Sequence, residues 1–170
     1  RLWNACAATG LAPDVYAREA TTVSVCLSKG LGAPAGSLVA GPRDFVAEAR
    51  RLRKRLGGGM RQAGVLAAAG LHALDHHLAR LPEDHEHARR LADGLAAAGA
   101  TLLFPVETNL VFAAFPGRSA ADLSARLARE GVLANPEGSR PDVLRFVTHL
   151  DVSREDVDEA VRRIARAVAA

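Results

Sequence analysis

Beyond Gly99 the chain alternates short apolar runs with amphipathic segments, and each switch carries its own punctuation. Thr101 to Phe104, Asn109 to Phe115, Val132 to Ala134 and Val143 to Thr148 read as strands, being short, apolar and rich in β-branched or aromatic residues. Ser119-Ala120-Ala121-Asp122 and Ser153-Arg154-Glu155-Asp156 read as capping boxes, in which a hydroxyl and a carboxylate three residues apart satisfy free N–H groups at a helix start. The first opens a helix that runs to Glu130 and closes at Gly131; the second opens one whose apolar face is Val157, Ala160, Val161, Ile164 and Val168. Such alternation restricts this part to an α/β or α+β lobe.

The first half has a different texture. Leu2 to Ala8 predicts a short helix stopped at Gly10, and Ala12-Pro13-Asp14 a connection into the β-branched run that ends at Lys29. Ser37 to Ala40 predicts a second strand. Pro42 marks a helix start, followed by an apolar stripe of Phe45, Val46, Ala49, Leu52 and Leu56, with Gly57-Gly58-Gly59 as the stop. Met60 to Leu81 predicts one long alanine-rich helix broken at Pro82, and Glu83 to Ala98 another. The expected boundary between the two parts lies at 98/99.

Composition excludes several classes. With 170 residues, 49% of them hydrophobic, the chain is long enough for a real core and is not disordered. A net charge of +3 is too small to imply nucleic acid without a local concentration of charge. Cys6 and Cys26 form no CxxC pair, so neither a disulfide framework nor a zinc knuckle is expected, and a reducing cytoplasm fits best. No run is long and apolar enough to span a bilayer. The chain lacks an initiator Met and reads as a portion of a longer one.

Lys29 is one of two lysines among 22 basic residues, and it stands at the end of Val23-Ser24-Val25-Cys26-Leu27-Ser28, just before Gly30-Leu31-Gly32. A lysine amine can lose its proton and attack a carbonyl, which a guanidinium cannot, and flanking glycines allow a planar group to approach closely. On spacing alone a surface lysine remains the commoner outcome. A second cluster runs from Arg50 through Lys54 into the glycine triplet and Arg61, where a glycine turn before a new helix presents N–H groups to an anion. Arg145 lies inside an apolar strand, where a guanidinium needs a carboxylate or another anion. His72 and His76 have the spacing of a metal pair, but Ala73 stands where a zinc-protease motif carries glutamate, so no metal site is expected. His77, His85 and His87 read as polar-face residues, and His149 as a residue placed to orient Arg145.

The wording of three segments adds to this. Ser24 to Ser37, Glu48 to Gly64 and Leu144 to Asp151 together resemble the threonine aldolases, within the aromatic amino acid beta-eliminating lyase/threonine aldolase family. The resemblance implies a pyridoxal 5'-phosphate (PLP) enzyme with an α/β, PLP-dependent transferase-like fold (fold type I). Residues 1–98 would then be the second part of the large domain and 99–170 the small carboxy-terminal α/β domain. It implies that Lys29 carries the cofactor covalently, and that Arg61 reaches the phosphate in a neighbouring subunit with Lys54 lining the same shared site. It implies that Arg145 binds the substrate α-carboxylate, and that Arg1 lies in the cofactor and substrate site.

The implied activity is that of an aldehyde-lyase cleaving threonine or allo-threonine to glycine and acetaldehyde, in a cytoplasmic homo-oligomer, dimeric or tetrameric. The alternatives are an inactive fragment or half-enzyme completed by a separate amino-terminal half and, more remotely, a basic nucleic-acid-binding module built on Arg51, Arg53 and Lys54. The last lacks interleaved aromatics and any known binding motif.

Overall fold

A computed structural model of the chain describes residues 1–169 as two compact units, 1–81 and 82–169. In the first unit, α1 (Leu2–Thr9) ends at Gly10, whose positive φ of 72° closes the helix, as its position predicts. After α2 (Pro13–Ala17), strands β1 (Val23–Cys26) and β2 (Ser37–Ala40) pair antiparallel, Val23 opposite Ala40 and Cys26 opposite Ser37. The core of this unit is Leu27, Leu31, Ala33, Ala73 and Leu81, with Trp3 and Ala7 of α1 packed against it.

Helix α3 (Arg43–Arg55) carries the predicted apolar stripe but has no buried residue; Phe45, Leu52 and Leu56 stay exposed. The long helix expected from Met60 to Leu81 is shorter. Helix α4 covers Gly64–His76, Met60 to Ala63 belong to the glycine-rich turn, and a turn follows in which His77 Nδ1 lies 2.6 Å from the Leu31 carbonyl. The helix thus ends before Pro82 is reached. Pro82 then sits in the first turn of α5 (Leu81–Ala97), where a missing N–H costs nothing.

The second unit is a four-stranded antiparallel sheet with α5, α6 and α7 supplying helical faces to its core. Its strands are β3 (Thr101–Leu102), β4 (Leu110–Ala114), β5 (Asn135–Pro136) and β6 (Val143–Val147), in the order β3-β4-β6-β5. The strand expected at Val132 to Ala134 is absent; pairing begins at Asn135, while Val132 and Ala134 are buried in the core. Helices α6 (Ala120–Arg129) and α7 (Arg154–Ala169) start at the predicted capping boxes. Ser119 Oγ accepts from the Asp122 N–H at 3.3 Å, and Ser153 Oγ from the Asp156 N–H at 3.1 Å, the Asp156 carboxylate accepting in turn from the Ser153 N–H.

Helices α5 and α7 are tied by an Arg90–Asp158 ion pair and pack closely at Gly94, where an added Cβ would lie 2.4 Å from Val161 Cγ2. By compactness α5 falls with the second unit, and the strands of that unit begin beyond Gly99.

Two stability measurements test this packing. Gly94→Ala gains about 1 kcal/mol of helix propensity, but the clash with Val161 costs about 1–3 kcal/mol. Urea unfolding should show net destabilisation, relieved when Val161→Ala is added. Ser153→Ala should lower stability by about 1 kcal/mol through loss of the α7 cap.

Candidate functional site

Lys29 stands at the tip of a loop whose backbone is held from within. The Leu27 N–H donates to the Gly36 carbonyl at 3.0 Å, the Ala33 N–H to the Leu27 carbonyl at 3.1 Å, and the Gly32 N–H to the Lys29 carbonyl at 2.7 Å. Leu27, Leu31 and Ala33 are buried while Lys29 is exposed, so alternate loop residues anchor and present. Gly30 is required by close approach: a Cβ there would lie 2.7 Å from Asn4 Nδ2 and 3.2 Å from Leu81 Cδ2. The result is a primary amine on a fixed turn.

One thiol meets this amine. Cys26, at the end of β1, receives a hydrogen bond from the Ser37 hydroxyl at 3.6 Å across the β1–β2 pair. That bond first, partly offset by desolvation, and then the nearby charge of Lys29 and a hydrogen bond from it, push the Cys26 thiol below its ordinary pKa. Arg1, expected in the same site, lies in the same unit as Lys29.

Lys54 and Arg61 flank one glycine turn of that same unit. The Gly58 N–H donates to the Arg53 carbonyl at 2.8 Å, Gly57 adopts a φ of 82°, and an added Cβ on Gly59 would meet the Lys54 side chain at 2.8 Å. Both cations are exposed. Arg51 of the same basic run forms a two-point ion pair with Glu48 on its own helix.

Arg145 belongs to the second unit. Its neighbours on β6, Leu144 and Phe146, lie in the core, so alternation turns Arg145 to the opposite face of the sheet. Its Nε is buried and has no hydrogen-bond partner among the described residues. Such a group needs an anion.

The histidines differ from their sequence reading. His85 and His87 are buried. Burial pushes the His85 pKa down, partly offset by Asp84. The His149 ring accepts from the Asp151 N–H at 3.3 Å and so shapes the turn after β6. The rings of His72 and His76 lie 4.4 Å apart between centroids, and among the described residues no three His, Cys, Asp or Glu side chains gather as a metal site. No helix of the described residues is long and apolar enough to cross a membrane.

Sequence reasoning missed the Cys26–Ser37 pair. Its signal was the strand register, which two short strands do not reveal before they are paired. It also missed a buried polar cluster in the second unit, where Asn109 Nδ2 donates to the Thr148 carbonyl at 2.7 Å and the Thr148 hydroxyl to the Asp84 carbonyl at 2.6 Å.

Comparison with known proteins places this geometry. Residues 1–116 match the model of the beta-eliminating lyase family. The chain belongs to that family. It is 43% identical over 159 residues to the low specificity L-threonine aldolase of Escherichia coli K12, covering 94% of this chain and 46% of that enzyme. It is 36% identical over 168 residues to the low-specificity L-threonine aldolase of Candida albicans, covering 96% of this chain and 43% of that one. The chain therefore spans under half the length of these relatives.

Among solved structures it resembles a Leishmania major threonine aldolase, with a TM-score of 0.74 at 20% identity over 99% of this chain and 50% of that one. It also resembles an α-aminoadipate aminotransferase of Thermus thermophilus solved with N-(5'-phosphopyridoxyl)-L-leucine, with a TM-score of 0.71 at 20% identity over 93% of this chain and 45% of that one. The fold is that of the fold type I PLP-dependent enzymes, as the lysine segment implied.

The thiol shifts make a direct prediction. Cys26 is pushed down and Cys6 is pushed up by burial, so at neutral pH the thiolate fraction is larger at Cys26. Peptide-resolved iodoacetamide labelling should modify Cys26 first, with its pH profile displaced to lower pH. Ser37→Ala and Lys29→Met should each move that profile upward.

Proposed function

We propose that this chain is the carboxy-terminal portion of a PLP-dependent carbon–carbon lyase that cleaves threonine or allo-threonine to glycine and acetaldehyde. The observation that carries the proposal is the Lys29 loop, an exposed primary amine on a buried, glycine-shaped turn, in a chain 43% identical to an L-threonine aldolase.

The residues present suit the cofactor and its substrate. Lys29 offers the amine that attacks an aldehyde carbon, and Arg1, by the family resemblance, would add positive charge to the same site. Lys54 and Arg61, on one glycine turn, offer cations and backbone N–H groups to a phosphate of a neighbouring copy. Arg145 offers a guanidinium whose buried Nε awaits an acceptor, suited to the two oxygens of an α-carboxylate. When bound, PLP supplies an electron sink for the charge that develops as the Cα–Cβ bond breaks. The chain's own part is to hold the carboxylate at Arg145, to keep the Lys29 amine at the reacting end and to carry a proton there. In the overall reaction the β-hydroxyl loses its proton, acetaldehyde leaves, and the α-carbon gains a proton. On this reading residues 1–98 complete the large domain and 99–170 form the small one, in a cytoplasmic homo-oligomer with shared sites.

One observation favours a companion reading, a half-enzyme that acts only with further polypeptide. Leu38 and Val39 of β2 and Phe45, Leu52 and Leu56 of α3 form an exposed apolar set in a unit whose sheet has only two strands. Neighbouring chain, from an amino-terminal half or a second copy, would cover them.

The test separates the two. The chain is mixed with PLP, reduced with borohydride and mapped by mass spectrometry, alone and after co-expression with the amino-terminal half of a homologous aldolase. A pyridoxyl group on Lys29, lost in Lys29→Ala, is expected in the co-expressed sample. Labelling of the chain alone would make it a self-sufficient cofactor binder, and labelling in neither sample would remove the proposal. In the active assembly, Arg145→Ala should raise the KM for threonine at least tenfold, corresponding to loss of about 1.5–3 kcal/mol from a charged hydrogen bond.

A further inference from the structure

The row of side chains that crosses the second sheet at Arg145 identifies another binding residue, on the reading that Arg145 holds a carboxylate. Residues directly opposite in an antiparallel pair point to the same face. Arg145 lies opposite Phe112 on β4 and opposite Asn135 on β5, so these two flank it on the face away from the core.

The ladder hydrogen bonds make the two flanks unequal. The Phe115 N–H donates to the Asp142 carbonyl at 3.0 Å and the Thr148 N–H to the Asn109 carbonyl at 3.1 Å. Stepping along the β4–β6 register from either bond makes Phe112–Arg145 a non-hydrogen-bonded pair, with Cα atoms about 4.5 Å apart and side chains close. On the other flank the Glu137 N–H donates to the Val143 carbonyl at 3.0 Å. Asn135–Arg145 is therefore a pair of the wider kind, about 5.5 Å between Cα atoms. The register thus sets Phe112 close to Arg145 on one flank and Asn135 further off on the other.

Asn135 is exposed, and among the described residues its amide makes no side-chain hydrogen bond. The following Pro136 holds it in an extended conformation, and because Pro136–Leu144 is a non-hydrogen-bonded pair, the missing proline N–H falls on the outer edge and costs no ladder bond. A carboxylate can accept about four hydrogen bonds, and a guanidinium fork uses only some of them. Asn135 supplies a neutral donor for another, which adds a bond without repelling Arg145.

We propose that Asn135 is a second carboxylate-binding residue, its amide N–H donating to a small α-amino acid carboxylate held by Arg145 while Phe112 closes the apolar flank. The experiment follows the Arg145 Nε–H resonance of the ¹⁵N-labelled chain, assigned by its loss in Arg145→Lys, as glycine is titrated in. A saturable shift is expected in the unsubstituted chain. Asn135→Ala should weaken the apparent affinity about fivefold to tenfold, the loss of one charge-assisted hydrogen bond. Asn135→Asp should weaken it further by like-charge repulsion, and Asn135→Gln should restore part of it.

The backbone amide spectrum of each variant reports folding, which an exposed edge residue should leave unchanged. If glycine shifts Arg145 but Asn135→Ala binds within twofold of the unsubstituted chain, Asn135 has no such role and Arg145 keeps its own. If glycine leaves the Arg145 resonance unmoved, the carboxylate reading of Arg145 fails and the assignment of Asn135 fails with it.

Discussion

The anchoring of one loop sets what the first unit can do. Leu27, Leu31 and Ala33 enter a small apolar cluster with Ala73 and Leu81, and each buried leucine contributes about 1.5–3 kcal/mol. Asn4 and Leu81 press so closely on Gly30 that the turn has little freedom to relax. The turn thus sets where the Lys29 side chain leaves the backbone. On the proposed reading, capture of an aldehyde benefits from that placement. Cys26 meets the same amine because it ends the strand that leads to Lys29.

The second unit works by dividing its sheet between two tasks. Leu144, Phe146, Val111 and Ala113 give one face to the core, where helices cover it. Arg145 alternates to the other face, and the register sets its flanks at different distances. The Asn109–Thr148 bonds extend the β4–β6 ladder by one more pair, and the Thr148 hydroxyl ties that end of β6 to the start of α5. A strand held at its end by buried hydrogen bonds gives a guanidinium a fixed base.

The amphipathic pattern of α3 was readable, yet its apolar stripe stays exposed, as does much of β2. The chain spans under half the length of the aldolases it matches, and uncovered apolar faces on a two-stranded sheet accord with an architecture completed by further polypeptide. The family assignment rests on sequence and does not depend on that completion.

Much of this was legible because it is local. A serine three residues before an aspartate caps a helix whatever lies around it, and both capping boxes open helices at the expected residues. Gly10 ends α1 for an equally local reason, its left-handed backbone, and the Lys29 segment names the family through its own wording. What depended on distant partners was not legible. The His77 ring reaches the Leu31 carbonyl just past the end of α4, and Asn135, beyond the strand expected at Val132 to Ala134, becomes a strand residue because β6 pairs with it. The sequence by itself determined most element types and the caps of α6 and α7, and singled out Lys29 and Arg145 as candidates. Only the tertiary structure decided which side chains stand beside them, because register and burial arise from contacts between segments far apart in the chain.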